Sequence, residues 1–119
     1  MITVRFVDIQ WFDEHPVATV DGSDAYPGCD GMARYQVVVD GEDTMPMNQP
    51  FARGPSREIF VHGAKQNVWG WDGNRVAPTL TPSYRCKFPW KGTNFDVHLY
   101  LTAGRLDLQG DSFPPMKAA

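Results

Sequence analysis

Phe95-Asp-Val-His-Leu-Tyr-Leu101 alternates apolar and polar residues without a break, which places Phe95, Val97, Leu99 and Leu101 on one face. A period of two is the signature of a strand with one buried side. Thr102-Ala-Gly-Arg105 follows with turn chemistry, and Leu106-Asp-Leu108 resumes the alternation, so the two segments read as a hairpin. Working back along the chain, Glu58-Ile-Phe-Val-His62 ends at Gly63, and Tyr35-Gln-Val-Val-Val39 closes on Asp40-Gly41, a tight-turn dipeptide. At the N-terminal end Ile2, Val4, Phe6, Asp8 and Gln10 alternate with Thr3, Arg5, Val7, Ile9 and Trp11. Both of those faces start mixed and turn apolar toward Trp11, as in a strand entering a sheet.

The segments between these strands are rich in breakers. Val17-Ala-Thr-Val20 is a short β-prone piece, and Ala25-Tyr-Pro-Gly-Cys-Asp-Gly31 is loop chemistry throughout. From Glu42 to Ser56 the chain holds Pro46, Pro50 and Pro55 with little alternation, which predicts a long irregular loop over 42–56. Residues 110–119, ending Phe113-Pro-Pro-Met-Lys-Ala-Ala119, predict an extended tail that frays unless it is pinned. Nowhere does an apolar stripe hold helical spacing over several turns. The 119 residues therefore predict one all-β domain, an antiparallel sandwich or small barrel with a long Pro-rich loop.

Composition narrows the function classes. A net charge of −3 lacks the basic footprint of a nucleic-acid binder. No apolar run is long enough to cross a bilayer as a helix, and Met-Ile-Thr-Val-Arg-Phe does not have the layout of a signal peptide, so no membrane partner is expected. Only Cys29 and Cys86 are present, and in a reducing compartment such a pair is more often two free thiols than a disulfide.

Cys29, His62, Cys86 and His98 are the right ligand types for tetrahedral zinc, but no Cys-x-x-Cys or His-x-x-x-His pair spaces them as a knuckle. Asp13-Glu-His15 and Asp21-x-x-Asp24 do not follow calcium-loop spacing. No serine has a Gly-x-Ser-x-Gly context, and the cations flanking Cys86, Arg85 and Lys87, point to the opposite strand face. No cofactor is expected. The pair in Trp69-Gly-Trp71 shares a face if extended, and Asp72-Gly-Asn74 then turns, so these tryptophans read as core at a strand end rather than as a ligand platform.

Trp69-Gly-Trp-Asp-Gly-Asn-x-x-x-Pro-Thr-Leu-Thr-Pro-Ser83 resembles a small family of tailed phages and bacteria whose members are often mislabelled as ammonia monooxygenase. That family carries a Trp-x-x-Asn/Asp-Gly…Pro-Thr-x-x-Pro-Ser segment, a later Cys-His…Gly-Arg-Ile strand-turn and an early Cys-Pro-x-Cys-Gly knuckle. Further matches here are His98 with Gly104, Arg105 and Leu106, and more loosely Tyr26-Pro-Gly-Cys29. Tyr26 stands where the first knuckle cysteine belongs, and Val97 where the cysteine before the histidine belongs. The resemblance implies a phage context, a β-rich fold and loss of the family's zinc site, with aromatic packing in its place.

The leading expectation is a non-enzymatic phage protein that contacts another protein, a capsid decoration or accessory protein in the virion. The alternatives are an early phage protein that inhibits a host factor or defence complex in the host cytoplasm, and a zinc- or thiol-dependent enzyme. A homo-oligomer is compatible with the first reading. The expected contact residues are Met45, Met47 and Phe51 of the loop and Phe113 and Met116 of the tail, because exposed Met and Phe in loops form interfaces.

Overall fold

The computed structural model describes residues 1–19 and 21–119, and the end of the Val17–Val20 segment lies outside them. The described residues contain strands and no helix. The strands are β1 (Ile2–Trp11), β2 (Gly31–Val39), β3 (Glu42–Arg53), β4 (Arg57–Val61), β5 (Ala64–Trp71), β6 (Leu80–Trp90), β7 (Thr93–Thr102), β8 (Arg105–Leu108) and β9 (Lys117–Ala118). Their order in the sheet is β8-β7-β6-β5-β3-β2-β1-β9, with β4 paired to β5 off this path. Because β8 also lies against β1 and β9, the sheet nearly closes into a barrel.

The hairpin read from Phe95 to Leu108 is β7–β8, and Phe95, Val97, Leu99 and Leu101 are all core. They meet Val4, Tyr35, Val37, Met47, Phe51, Leu80, Tyr84 and Phe88 inside the barrel. Large rings carry much of that packing: Phe88 stacks on Phe95 at 5.2 Å, and Trp71 packs on both Phe51 and Trp11. Tyr35 donates its buried hydroxyl to Gln49 Oε1 at 2.6 Å, which satisfies a group that would otherwise cost stability inside the barrel.

Three sequence expectations need correction. First, β1 does not keep one parity. A register shift between Phe6 and Asp8 sets Val7 outside the ladder, so Ile2, Val4 and Phe6 face the core before it and Ile9 and Trp11 after it. One extra residue reverses every later side chain, which is why both faces looked mixed.

Second, residues 42–53 are not a loop but the twelve-residue strand β3. Pro46 and Pro50 lie four residues apart and so share an orientation, and among the described residues the edge of β3 away from β2 has no strand partner before Phe51. A missing N–H is tolerated at such an open edge, so the prolines interrupt nothing. Met47 and Phe51 consequently point into the barrel, 1% and 0% exposed, and are not contact residues.

Third, the C-terminal segment is not a free extended tail but is pinned by the rest of the chain. Phe113 exchanges two backbone hydrogen bonds with Asp96, Met116 packs against the core, and β9 pairs with Thr3 and Val4 in parallel. Arg85 ties the segment down further, donating to Asp96 at 2.9 Å and to Asp111 at 3.0 Å, while Asp111 also meets His98 Nδ1 at 2.9 Å.

Truncating Met47 or Phe51 to Ala should cost about 2–5 kcal/mol in urea denaturation, whereas Met45→Ala, at an exposed position, should stay within about 0.5 kcal/mol. Acid should destabilise the fold. Hydrogen bonds from Arg34, Arg75 and His98 hold Asp8, Asp13 and Asp111 below the ordinary 3.8, those of Thr19 and Ser23 bring Asp21 to about 2, and the N-terminal ammonium lowers Asp40. Carboxylates with depressed folded-state values stabilise above 3.8, and that contribution drains away as the pH falls through the lower values. The urea midpoint should therefore drop between about pH 4 and pH 2, and Asp111→Asn should flatten that drop.

Candidate protein-contact surface

The site starts at a tight turn. His62 and Gly63 carry φ values of +50° and +79°, the conformation of a two-residue turn whose twist matches the flanking strands. Gly63 adopts it without a Cβ penalty. The turn pairs Val61 with Ala64 and sets the β4–β5 register from there to Arg57 and Val68. In a two-residue hairpin the closing pair exchanges hydrogen bonds and the pattern then alternates. Glu58 and Phe60 therefore direct their N–H and C=O groups away from β5.

The two faces of this hairpin differ. One holds Ile59 and Val68 and turns inward, Val68 being 1% exposed. It rests on the loop between β1 and β2, where Arg57 Nη2 donates to the Gly28 carbonyl at 3.3 Å and Ser23 Oγ lies 3.4 Å from His62 Nε2. The other face carries Phe60, 69% exposed, beside the Glu58–Lys65 ion pair at 2.8 Å. Beyond it the wall opens into a groove of about 450 Å³ lined by Arg57, Glu58, Asn67, Trp69 and Pro82 among others.

That groove exists because β5 is paired unevenly. Among the described residues its first half pairs with β4, and contact with β3 and β6 is confined to Trp69–Trp71. Gly70 is required in that joint: a Cβ there would lie 2.5 Å from the Gly54 carbonyl oxygen and 3.0 Å from the Ser56 nitrogen. Trp71 is core, as the sequence reading had it, with Nε1 donating to the Asn74 carbonyl at 3.1 Å. Trp69 is half-buried, donates to the Ser83 carbonyl and packs edge-on to Tyr84, so one ring of the pair also borders the groove.

The remaining candidate residues are dispersed. Met45 on β3 and Phe113 before β9 are exposed, 52% and 58%, on elements separate from β4, and Met116 is half-buried against the core. Phe60, missed in the sequence reading, gave one signal: it falls between Ile59 and Val61, and in a strand with those two inward it must point out. Cys29 lies in the loop before β2, His62 in the hairpin turn, Cys86 on the core side of β6, and His98 on β7 opposite Arg85. The four are not brought together, and among the described residues no group of three or more His, Cys, Asp or Glu is placed to hold a metal ion.

Among the described residues two serine–histidine–aspartate neighbourhoods exist, but their hydrogen bonds run the wrong way for nucleophile activation. Asp21 accepts from Ser23 Oγ at 2.7 Å and so holds the serine rather than the His62 ring. Ser112 Oγ bonds the backbone of His98, not its imidazole. A triad needs the acid on the base and the base on the hydroxyl. Comparison of the chain with protein-family models, curated proteins and solved structures returned no match.

Burial pushes the Cys29 thiol up to about 11 despite the nearby Arg57, and burial also raises that of Cys86 despite its hydrogen bond with Tyr84. Since the thiolate is the nucleophile, iodoacetamide at neutral pH should alkylate both far more slowly in the folded protein than in urea, as read by mass spectrometry. Equal rates in the two states would contradict this arrangement.

Proposed function

We propose that this chain is a non-enzymatic domain that works by protein–protein contact, taking a strand of another protein at the β4 edge, and that it does so as a virion-associated decoration or accessory protein of a tailed phage. The observation that carries the contact reading is the pairing of an open strand edge with a largely exposed Phe60. Strand addition draws affinity from main-chain hydrogen bonds and specificity from side chains beside the edge. Glu58 and Phe60 supply the former, and Phe60 with the groove along Trp69 and Pro82 supplies the latter. Exposed edges usually carry blunting devices. Here the Glu58–Lys65 pair flanks Phe60 without covering it. The phage assignment rests on the resemblance of Trp69–Ser83 to the phage family's motif.

Purified particles provide the test, using cross-linking mass spectrometry. Lys65 sits in register with Phe60 and offers an amine beside the edge. Cross-links from Lys65 to another virion protein are expected. Phe60→Pro removes both the ring and an outward N–H while sparing the bonds to β5, so it should fold normally and lose those cross-links. Absence of the chain from particles would overturn the virion assignment and favour action on a host protein. Unchanged cross-linking in Phe60→Pro would overturn the edge.

A further inference from the structure

A second concavity lies away from the β4 edge, at the barrel end where β1, β5 and the β1–β2 loop meet. It measures about 330 Å³, within the range of roughly 300–1,000 Å³ that small ligands occupy. Its walls include the rings of Trp11, Phe12 and Trp71. Its acids are Asp13, Asp24 and Asp30, set against a single base, Arg75.

Arg75 shows what these walls hold. Its guanidinium lies 4.1 Å from the Trp11 ring centroid, the geometry of a cation–π contact. Asp13 accepts from it at 3.0 and 3.3 Å, and Glu14 lies 3.6 Å away. Those two acids already neutralise Arg75, and Asp30 adds its field to theirs. Asp24 and Asp30 take part in no salt bridge among the described residues. Their hydrogen bonds are to backbone: Asp24 Oδ1 accepts from Tyr26 N–H at 2.9 Å, and Asp30 Oδ2 from Arg53 N–H at 2.8 Å. Each keeps a second carboxylate oxygen for a ligand.

The surrounding sequence has the same bias. From Phe12 to Asp30 the chain carries Asp13, Glu14, Asp21, Asp24 and Asp30 and no Lys or Arg. Those five acids exceed the net charge of −3 of the whole chain, so the other elements carry a compensating positive balance. A cation approaching this end meets a negative field and then two carboxylates on walls that also carry the rings of Trp11, one face of which Arg75 covers, and of Phe12, which stacks on Tyr26 at 5.6 Å.

We infer that the cup formed by Trp11, Phe12, Trp71, Asp24 and Asp30 binds an organic cation, a guanidinium or alkylammonium group, beside the resident Arg75. This goes beyond contact at the β4 edge and does not depend on it. The source of the cation is a free small molecule or a basic side chain of a protein, and the chemistry of recognition is common to both.

The test follows the indole N–H resonances of Trp11 and Trp71 during titration of the full chain with agmatine and, separately, with the peptide Gly-Arg-Gly. Saturable shifts are expected at millimolar concentration, where one ring contact and two partly exposed carboxylates place the affinity. Saturation by agmatine alone identifies a free cation, and saturation by the peptide identifies a side chain. Asp24→Asn with Asp30→Asn keeps the oxygens that accept from Tyr26 and Arg53, so the double variant should fold and bind about tenfold more weakly. Absence of saturable shifts with either probe up to roughly 20 mM, well above the millimolar range, would overturn the site. Full affinity in the folded double variant would do the same.

Discussion

Three residues of β5 hold this barrel together. On one side Trp69, Gly70 and Trp71 pair in parallel with Phe51, Ala52 and Arg53, and on the other Gly70 and Trp71 pair with Thr81 and Leu80. The half built from β9, β1, β2 and β3 reaches the half built from β6, β7 and β8 through this joint. The segment linking β3 to β4 must cross over it, and it passes so close that Gly70 leaves no room for a side chain. A parallel pairing between β3 and β5 forces such a crossover, and here the connection includes the β4 hairpin strand itself. Trp71 then fills the volume beneath, against Phe51 and Trp11.

Both surfaces proposed to bind follow from that joint. Because β5 has only a short stretch of ladder to share, its first half leaves the barrel with β4, and among the described residues the outer edge of β4 has no strand partner. On the barrel-end side, the same Trp71 that seals the core presents its rim to the cup between Trp11 and Asp30. The loop after it is ordered by its own side chains. Asp72 Oδ1 accepts from Asn74 and Thr79 N–H, and Asn74 Oδ1 accepts from Val76 and Ala77 N–H. That order aims Arg75 at Trp11.

Legibility in the sequence tracked how local the deciding physics was. The β7–β8 hairpin, the Tyr35–Val39 strand and the core role of Trp71 needed only alternation and turn chemistry, and each was readable. The strand at 42–53 was hidden because a proline penalty depends on whether an edge is paired, and that is a property of the neighbouring strand. Met47 and Phe51 were misplaced with it. The Val7 bulge was hidden for a similar reason, since an extra residue is defined only against the partner it fails to match. Of the proposed contact surface, the Glu58–His62 strand was legible and the outward side of Phe60 could be inferred from its place between Ile59 and Val61, but the open edge was not, because nothing in its own residues says that β4 pairs on one side.

The sequence by itself determined that the chain is all-β, that Trp71 and the Phe95–Leu101 alternation belong to the core, and where most turns fall. Periods of two, glycine turns and ring area are written in neighbouring residues. Tertiary structure alone decided which edges stay open, which methionines and phenylalanines are buried, and that Asp24, Asp30, Trp11 and Trp71 share one cup. Those outcomes depend on contacts between residues far apart in the chain, which no local pattern of residues encodes.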